Sequence, residues 1–225
     1  FSQISFGPKV GVNLSKYSQK YKDSDNEDHM KFRLGPSIGA VMDMPLNDFL
    51  SFQPSLMLSV KGTSFDLPKM NPNHTYDGFS RDQIMYIEVP LNFAGKFELG
   101  PGTVQVFAGP YFAMAIAGKE NTDYTETAQD GSVNTVKCDD KFKFTNKVTE
   151  EDWNEDDVEW MRPMDIGINF GVGYQWNFLL FNVGYAMGFS NLVPDYPSAA
   201  DFDAKDYKTT NRTIFFNVAW LFGGE

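Results

Sequence analysis

Met164-Asp165-Ile166-Gly167-Ile168-Asn169-Phe170-Gly171-Val172-Gly173-Tyr174-Gln175-Trp176 runs, after Asn177 and Phe178, into Leu179-Leu180-Phe181-Asn182-Val183-Gly184-Tyr185-Ala186-Met187-Gly188-Phe189. Both halves alternate with a period of two. Met164, Ile166, Ile168, Phe170, Val172, Tyr174 and Trp176 form one set, and Asp165, Gly167, Asn169, Gly171, Gly173 and Gln175 the other. Successive side chains of a strand point to opposite faces, so each segment is a strand with one large apolar face and one small or polar face.

The same pattern recurs through the chain. Ile4 to Leu14, Phe32 to Met42, Leu50 to Lys61, Tyr86 to Phe97, Val104 to Ile116 and Thr213 to Phe222 each alternate in this way. With the opening pair, about eight strands of roughly ten residues result. Strands in soluble proteins average about five or six residues, whereas a tilted strand crossing a bilayer needs about 9–11. No run of about 18 apolar residues exists, so no membrane helix is expected. The mean hydropathy of −0.36 is compatible with a barrel, because only alternate residues face lipid.

The connections sort by parity. Long segments at about 15–30, 62–82, 118–161 and 190–211 alternate with short turns at Pro45–Asp48, Gly100–Gly102 and Trp176–Asn177. In an up-and-down sheet this places every long loop at one end, and every short turn with both termini at the other. Outer-membrane barrels have this polarity. Lipid offers no hydrogen bonds, so the sheet must close. The expected fold is all-β: a single-domain, eight-stranded antiparallel up-and-down transmembrane β-barrel over 1–225. Four long loops stand at one end and three short turns at the other.

Charge decides which face meets lipid. The small-residue face carries Lys9, Arg33, Lys61, Glu88, Lys96 and Asp165. A charge at mid-bilayer depth on the lipid face costs about 2–4 kcal/mol, so this face points inward. Eight strands leave an interior filled by side chains, and charges held there must pair. Lys9, Arg33, Lys61, Glu88 and Asp165 are therefore expected to form a structural ion-pair network that plugs the lumen. A lipocalin-like soluble barrel predicts the reverse orientation. Trp176, Phe178, Phe97, Trp220 and Phe222 near the turns, with Phe32, Phe65, Phe112 and Phe189 near the loops, would form two aromatic girdles.

The order of several segments resembles the PorT-like outer-membrane β-barrel family of Bacteroidetes. These are Gly7-Pro8-Lys9-Val10-Gly11-Val12-Asn13-Leu14-Ser15, Tyr86-Ile87-Glu88-Val89-Pro90-Leu91, Phe107-Ala108-Gly109-Pro110-Tyr111, Asp165-Ile166-Gly167 through Gly171-Val172-Gly173-Tyr174, and Gly184-Tyr185 through Asn191-Leu192. The resemblance implies a bacterial outer-membrane location and an eight-stranded barrel; most members of that family have no assigned activity. The chain starts at Phe1, at the approach to its first strand, as expected of a chain whose export signal has been removed.

Chemistry is sparse. His29 and His74 lie in different long segments without a serine elbow or a fixed spacing, so no catalytic set is assigned. The acid clusters Asp23–Asp28 and Glu150–Asp157 lack the spacing of a calcium loop: Asp28 stands where the turn glycine belongs, and Leu34 where the closing glutamate belongs. No metal and no cofactor is expected, and the single Cys138 reads as an exposed thiol. A net charge of −11 opposes nucleic-acid binding. The segment 118–161 has about 13 acids against five lysines, and a loop of that length suggests a role of its own. The reading is a non-enzymatic barrel embedded in outer-membrane lipid, with acidic extracellular loops that interact with, or dock to, an envelope assembly, through 118–161 if with another envelope protein. The alternatives are a lipid-modifying barrel enzyme, a soluble ligand-binding barrel and a pore.

Overall fold

The structure is a computed structural model, and it describes residues 3–21, 24–25, 30–66, 74–128, 132–153, 155, 157–197 and 206–223. Among the described residues, twelve strands join in one sheet. They are β1 (Ser5–Tyr21), β2 (Ser24–Asp25), β3 (Met30–Pro45), β4 (Leu50–Lys61), β5 (Thr63–Asp66), β6 (His74–Leu99), β7 (Gly102–Ala128), β8 (Val133–Phe144), β9 (Val158–Met161), β10 (Met164–Trp176), β11 (Leu179–Gly188) and β12 (Tyr207–Trp220), with one short helix, α1 (Glu150–Trp153).

Eight of these close a ring. β1 pairs with β3, then β4, β6, β7, β10, β11 and β12 follow, and β12 returns to β1; every pairing is antiparallel. Following partners from Lys9 through Gly39, Met57, Glu88, Ala113 and Asp165 leads back to β1 about ten residues further on, a stagger that tilts eight strands by roughly 40–45°. A tilted closed ring leaves no backbone edge towards lipid.

The eight-strand expectation therefore holds for the ring, not for the whole sheet. β2, β5, β8 and β9 lie in segments expected to be loops. The boundaries 15–30, 62–82, 118–161 and 190–211 are also too generous: β1 runs to Tyr21, β6 begins at His74, β7 runs to Ala128 and β12 begins at Tyr207. The reason is physical. Where a strand leaves hydrocarbon its two faces become equally polar, so alternation fades, yet the backbone ladder continues. β6 and β7 stay paired from Thr75–Thr127 down to Leu99–Gly102. Threonine-rich polar stretches suit such half-solvated strands.

The short turns follow local chemistry. At Leu46–Phe49, the Asn47 side-chain oxygen accepts from the Phe49 and Leu50 amides at 3.0 and 2.9 Å, a side-chain-closed turn. Gly100 (φ 61°) and Asn177 (φ 51°) open the two-residue turns to β7 and β11. Left-handed backbone is open to glycine and tolerated by asparagine.

The burial pattern is inside out. Ile4, Phe6, Val10, Val12, Leu34, Ile38, Leu56, Leu58, Val106, Phe112, Ile168, Val172 and Phe216 are exposed on the outer wall. Lys9, Asn13, Ser37, Gln53, Ser59, Lys61, Glu88, Asn92, Gln105, Asp165, Asn169 and Thr213 are buried inside. This is the reverse of a soluble carrier barrel, and it overturns the lipocalin-like alternative. Exposed Trp176, Phe178, Phe97, Trp220 and Phe222 ring the turn end, where Phe178 and Trp220 stack at 4.4 Å.

Candidate functional site

Three charges meet in the lumen. Lys61 ends β4, Glu88 lies on β6, and Asp165 is the second residue of β10. Lys61 pairs with Glu88, and its Nζ lies 3.9 Å from the Asp165 Oδ2. The Lys61 side chain is 2% exposed and that of Asp165 0%. The Tyr111 hydroxyl donates to Asp165 at 3.0 Å, and the Asn211 amide donates to the same oxygen at 2.9 Å. The Lys61 ammonium also lies 4.6 Å from the Tyr111 ring centroid and 5.5 Å from that of Tyr86, within cation–π range. Desolvated charges become tolerable when each has an opposite charge and dipoles around it.

Lys9 faces the same interior. It lines a cavity of about 20 Å³ together with Lys61, Glu88, Asn13, Asn92 and Asn169, a volume that holds about one water. Arg33 stands apart: its guanidinium donates to Gln83 at 2.9 Å, nearer the loop end. The structure thus brings Lys61, Glu88 and Asp165 together, places Lys9 beside them, and leaves Arg33 outside. Towards the turns, Gln53, Gln105 and Asn182 form an amide chain with bonds of 2.9 and 2.8 Å, and Lys96 pairs with Asp43.

Some of these partners escape sequence reading. Asn211 falls in a segment taken for a loop, because Thr210 and Arg212 are as polar as Thr209, Asn211 and Thr213. Asp43 lies just past the point where alternation was followed. In each case continuing the period by two residues finds the partner.

At the loop end the lumen opens into a vestibule of about 860 Å³, lined by Tyr17, Asp82, Glu120, Glu159, Trp160 and Leu192 among others. Its roof comes from the segment 132–163. β8 pairs with β7 on one side and in parallel with β9 on the other. The Val148 amide donates to the Asp195 carbonyl at 2.8 Å, and Arg162 pairs with the Asp195 carboxylate at 2.9 Å. Val148 and Leu192 are buried beneath.

Two acids of Glu150–Asp157, Asp152 and Glu155, serve this roof. Thr149 and Asp152 cap α1 reciprocally: the Thr149 amide and hydroxyl donate to the carboxylate at 3.0 and 2.8 Å, and the Asp152 amide donates back to the Thr149 hydroxyl at 3.2 Å. The bonds from Thr149 hold the Asp152 carboxyl below its ordinary value. Glu155 pairs with Lys143. Partial burial, with Glu120 and Asp140 nearby, pushes Glu159 up to about 7. Cys138 is exposed. Asp23, Asn26, Glu27, Asp28, Asp156 and His29 lie outside the described residues; Asp25 and His74 are described by backbone alone.

A family match agrees with this geometry. Residues 1–193 match the model of the outer membrane protein beta-barrel domain. No curated protein matches the sequence. Among solved structures, the chain is similar to Ail, the attachment invasion locus protein of Yersinia pestis, crystallised with the heparin analogue sucrose octasulfate; the identity is 10% and the TM-score 0.40, over 99% of this chain and 100% of that one. It is also similar to Neisserial surface protein A, with 12% identity and a TM-score of 0.39, over 97% and 99%. The chain belongs to the outer membrane protein beta-barrel domain family, and its place is the bacterial outer membrane.

Proposed function

We propose that this protein is a non-enzymatic outer-membrane barrel whose lumen is plugged and whose work is done by the sheet that rises above the bilayer. The carrying observation is the filled interior. Buried Tyr86 and Tyr111 and the triad of Lys61, Glu88 and Asp165 cross the lumen, and the cavity beside them is about 20 Å³. A conducting pore needs a continuous wet path. The ion-pair network is structural in this reading, with Lys9 a peripheral member and Arg33 tied to the mouth.

Above the apolar band, the start of β6, the end of β7 and all of β8 form a polar ribbon, of which the β7 and β8 parts lie within 118–161. Loops on a rigid barrel commonly carry recognition, and an acidic ribbon favours a basic partner surface. Docking to an envelope assembly through this segment fits that geometry, and the PorT-like resemblance is the more specific family reading compatible with it. Planar-bilayer recording of the purified chain is the test of the plug: no steady conductance is expected, and large steady conductance overturns the reading. For docking, a photo-crosslinker at exposed Val133 should give one discrete adduct in native membranes that excess salt suppresses. An adduct absent from native membranes, or unaffected by salt, contradicts an acidic docking surface.

A further inference from the structure

Four carboxylates converge on one face of the sheet at the barrel mouth. Asp82 on β6 is directly opposite Glu120 on β7, and Glu120 is directly opposite Asp140 on β8. Residues directly opposite in a ladder project to the same face. Like charges so placed are destabilising. Glu159, from the neighbouring β9, adds a fourth, and single oxygens of Glu120, Asp140 and Glu159 all lie within 4.8 Å of one another. Among the described residues, no lysine or arginine pairs with any of the four. Arg33 gives its hydrogen bond to Gln83 and lines a pocket with Asp123 and Asp139, on the other face of the ribbon.

A second observation points into the same place. Asp82 is only 7% exposed and lines the vestibule with Glu120 and Glu159. Its Oδ1 is buried and has no hydrogen-bond partner. A buried carboxylate oxygen without a donor is costly, and Glu120 and Glu159 act on this carboxylate more strongly than the nearby Arg33 does.

We infer that Glu120, Asp140 and Glu159, backed by Asp82, form a calcium site at the mouth of the barrel. The chemistry fits a hard divalent cation. Ca²⁺ takes carboxylate oxygens at about 2.4 Å, so two oxygens on opposite sides of one ion stand about 4.8 Å apart. Glu120 is already oriented, because the Ser80 hydroxyl donates to its Oε1 and the Thr122 hydroxyl lies 3.3 Å from the same atom. Three strands and β9 supply the ligands, so the ion ties the roof to the ring. The site is separate from the acid clusters that the sequence singles out. Its members are spread over residues 82 to 159, and only strand register unites them.

The test is isothermal titration of the EDTA-treated full chain in detergent with CaCl₂. One site is expected, with a Kd of about 10⁻⁴ to 10⁻³ M, the range of extracellular calcium modules. The double variant Glu120→Gln/Asp140→Asn should weaken it by about tenfold or more. The control Asp123→Asn/Asp139→Asn neutralises the opposite face of the same ribbon, where Asp123 pairs with Lys137 and Asp139 bonds Asn121, and should leave the site intact. Heat-modifiable gel migration verifies folding of each. If the double variant does not fold, Glu159→Gln, on a short strand outside the ring, makes the same comparison. No heat from the wild type, unchanged binding in the site variants, or equal loss in the control overturns the inference.

Discussion

Replacing Lys61 by methionine should destabilise the barrel by about 3–5 kcal/mol, the usual cost of stripping one partner from a buried ion pair. Methionine keeps much of the aliphatic length, so packing changes little; the ammonium is what goes. At 3.9 Å from Asp165, its attraction to that carboxylate alone is about 4 kcal/mol at an effective dielectric of 20, and Glu88 is closer. Desolvation of the lost ammonium offsets part of this. The remainder is the penalty of leaving two carboxylates inside the wall with only Tyr111 and Asn211 as donors to Asp165. Removing the acids as well should restore most of the loss. Lys61→Met/Glu88→Leu should be less damaged than Lys61→Met alone, and adding Asp165→Asn should bring stability to within about 1 kcal/mol of wild type. The assay is urea unfolding of the vesicle-inserted protein, followed by tryptophan emission and by gel migration. A cost under about 1 kcal/mol for Lys61→Met, or additive costs in the double variant, would refute the coupled network.

Three further outcomes follow from the same geometry. Ile38→Lys, midway along β3 and 59% exposed on the outer wall, should cost about 2–4 kcal/mol in vesicles, whereas Leu46→Lys at the turn end should cost about 0–1; equal costs would contradict a bilayer at that depth. Asn177→Gly should be neutral within a few tenths of a kcal/mol, and Asn177→Val should cost about 1–2 because its backbone is left-handed; denaturant midpoints distinguish them, and an unaffected valine variant refutes the turn. Cys138, exposed on β8, should react with a membrane-impermeant maleimide on intact cells; labelling only after lysis would reverse the topology.

How much the sequence discloses depends on what a residue faces. Along Val104–Ile116 one face meets hydrocarbon and the other meets the lumen, so Phe112 and Gln105 differ sharply and the strand is plain. The charged interior was legible for the same reason: Lys61, Glu88 and Asp165 stand on small-residue faces, where lipid cannot be their environment. Beyond the bilayer the contrast vanishes. Thr122 and Asp123 point to opposite sides of the β7 ribbon, and both sides are wet, so its pairing with β8 is invisible to hydropathy. Arg33 misled because its long side chain leaves the lumen near the end of the wall, to bond Gln83 and line a pocket with Asp123 and Asp139. The four acids at the mouth were illegible altogether. Asp82 and Asp140 become neighbours of Glu120 only through two strand registers, and no local spacing encodes those.

The orientation of the wall is the claim on which the rest stands. The most direct measurement uses a chain whose only tryptophan is Trp220, 46% exposed in the turn-end girdle, reconstituted in lipids brominated on their acyl chains. Strong quenching, deeper than for a chain retaining only Trp160 in the roof, is the expected result. Equal, weak quenching of both would place Trp220 in water and contradict an apolar exterior embedded in hydrocarbon.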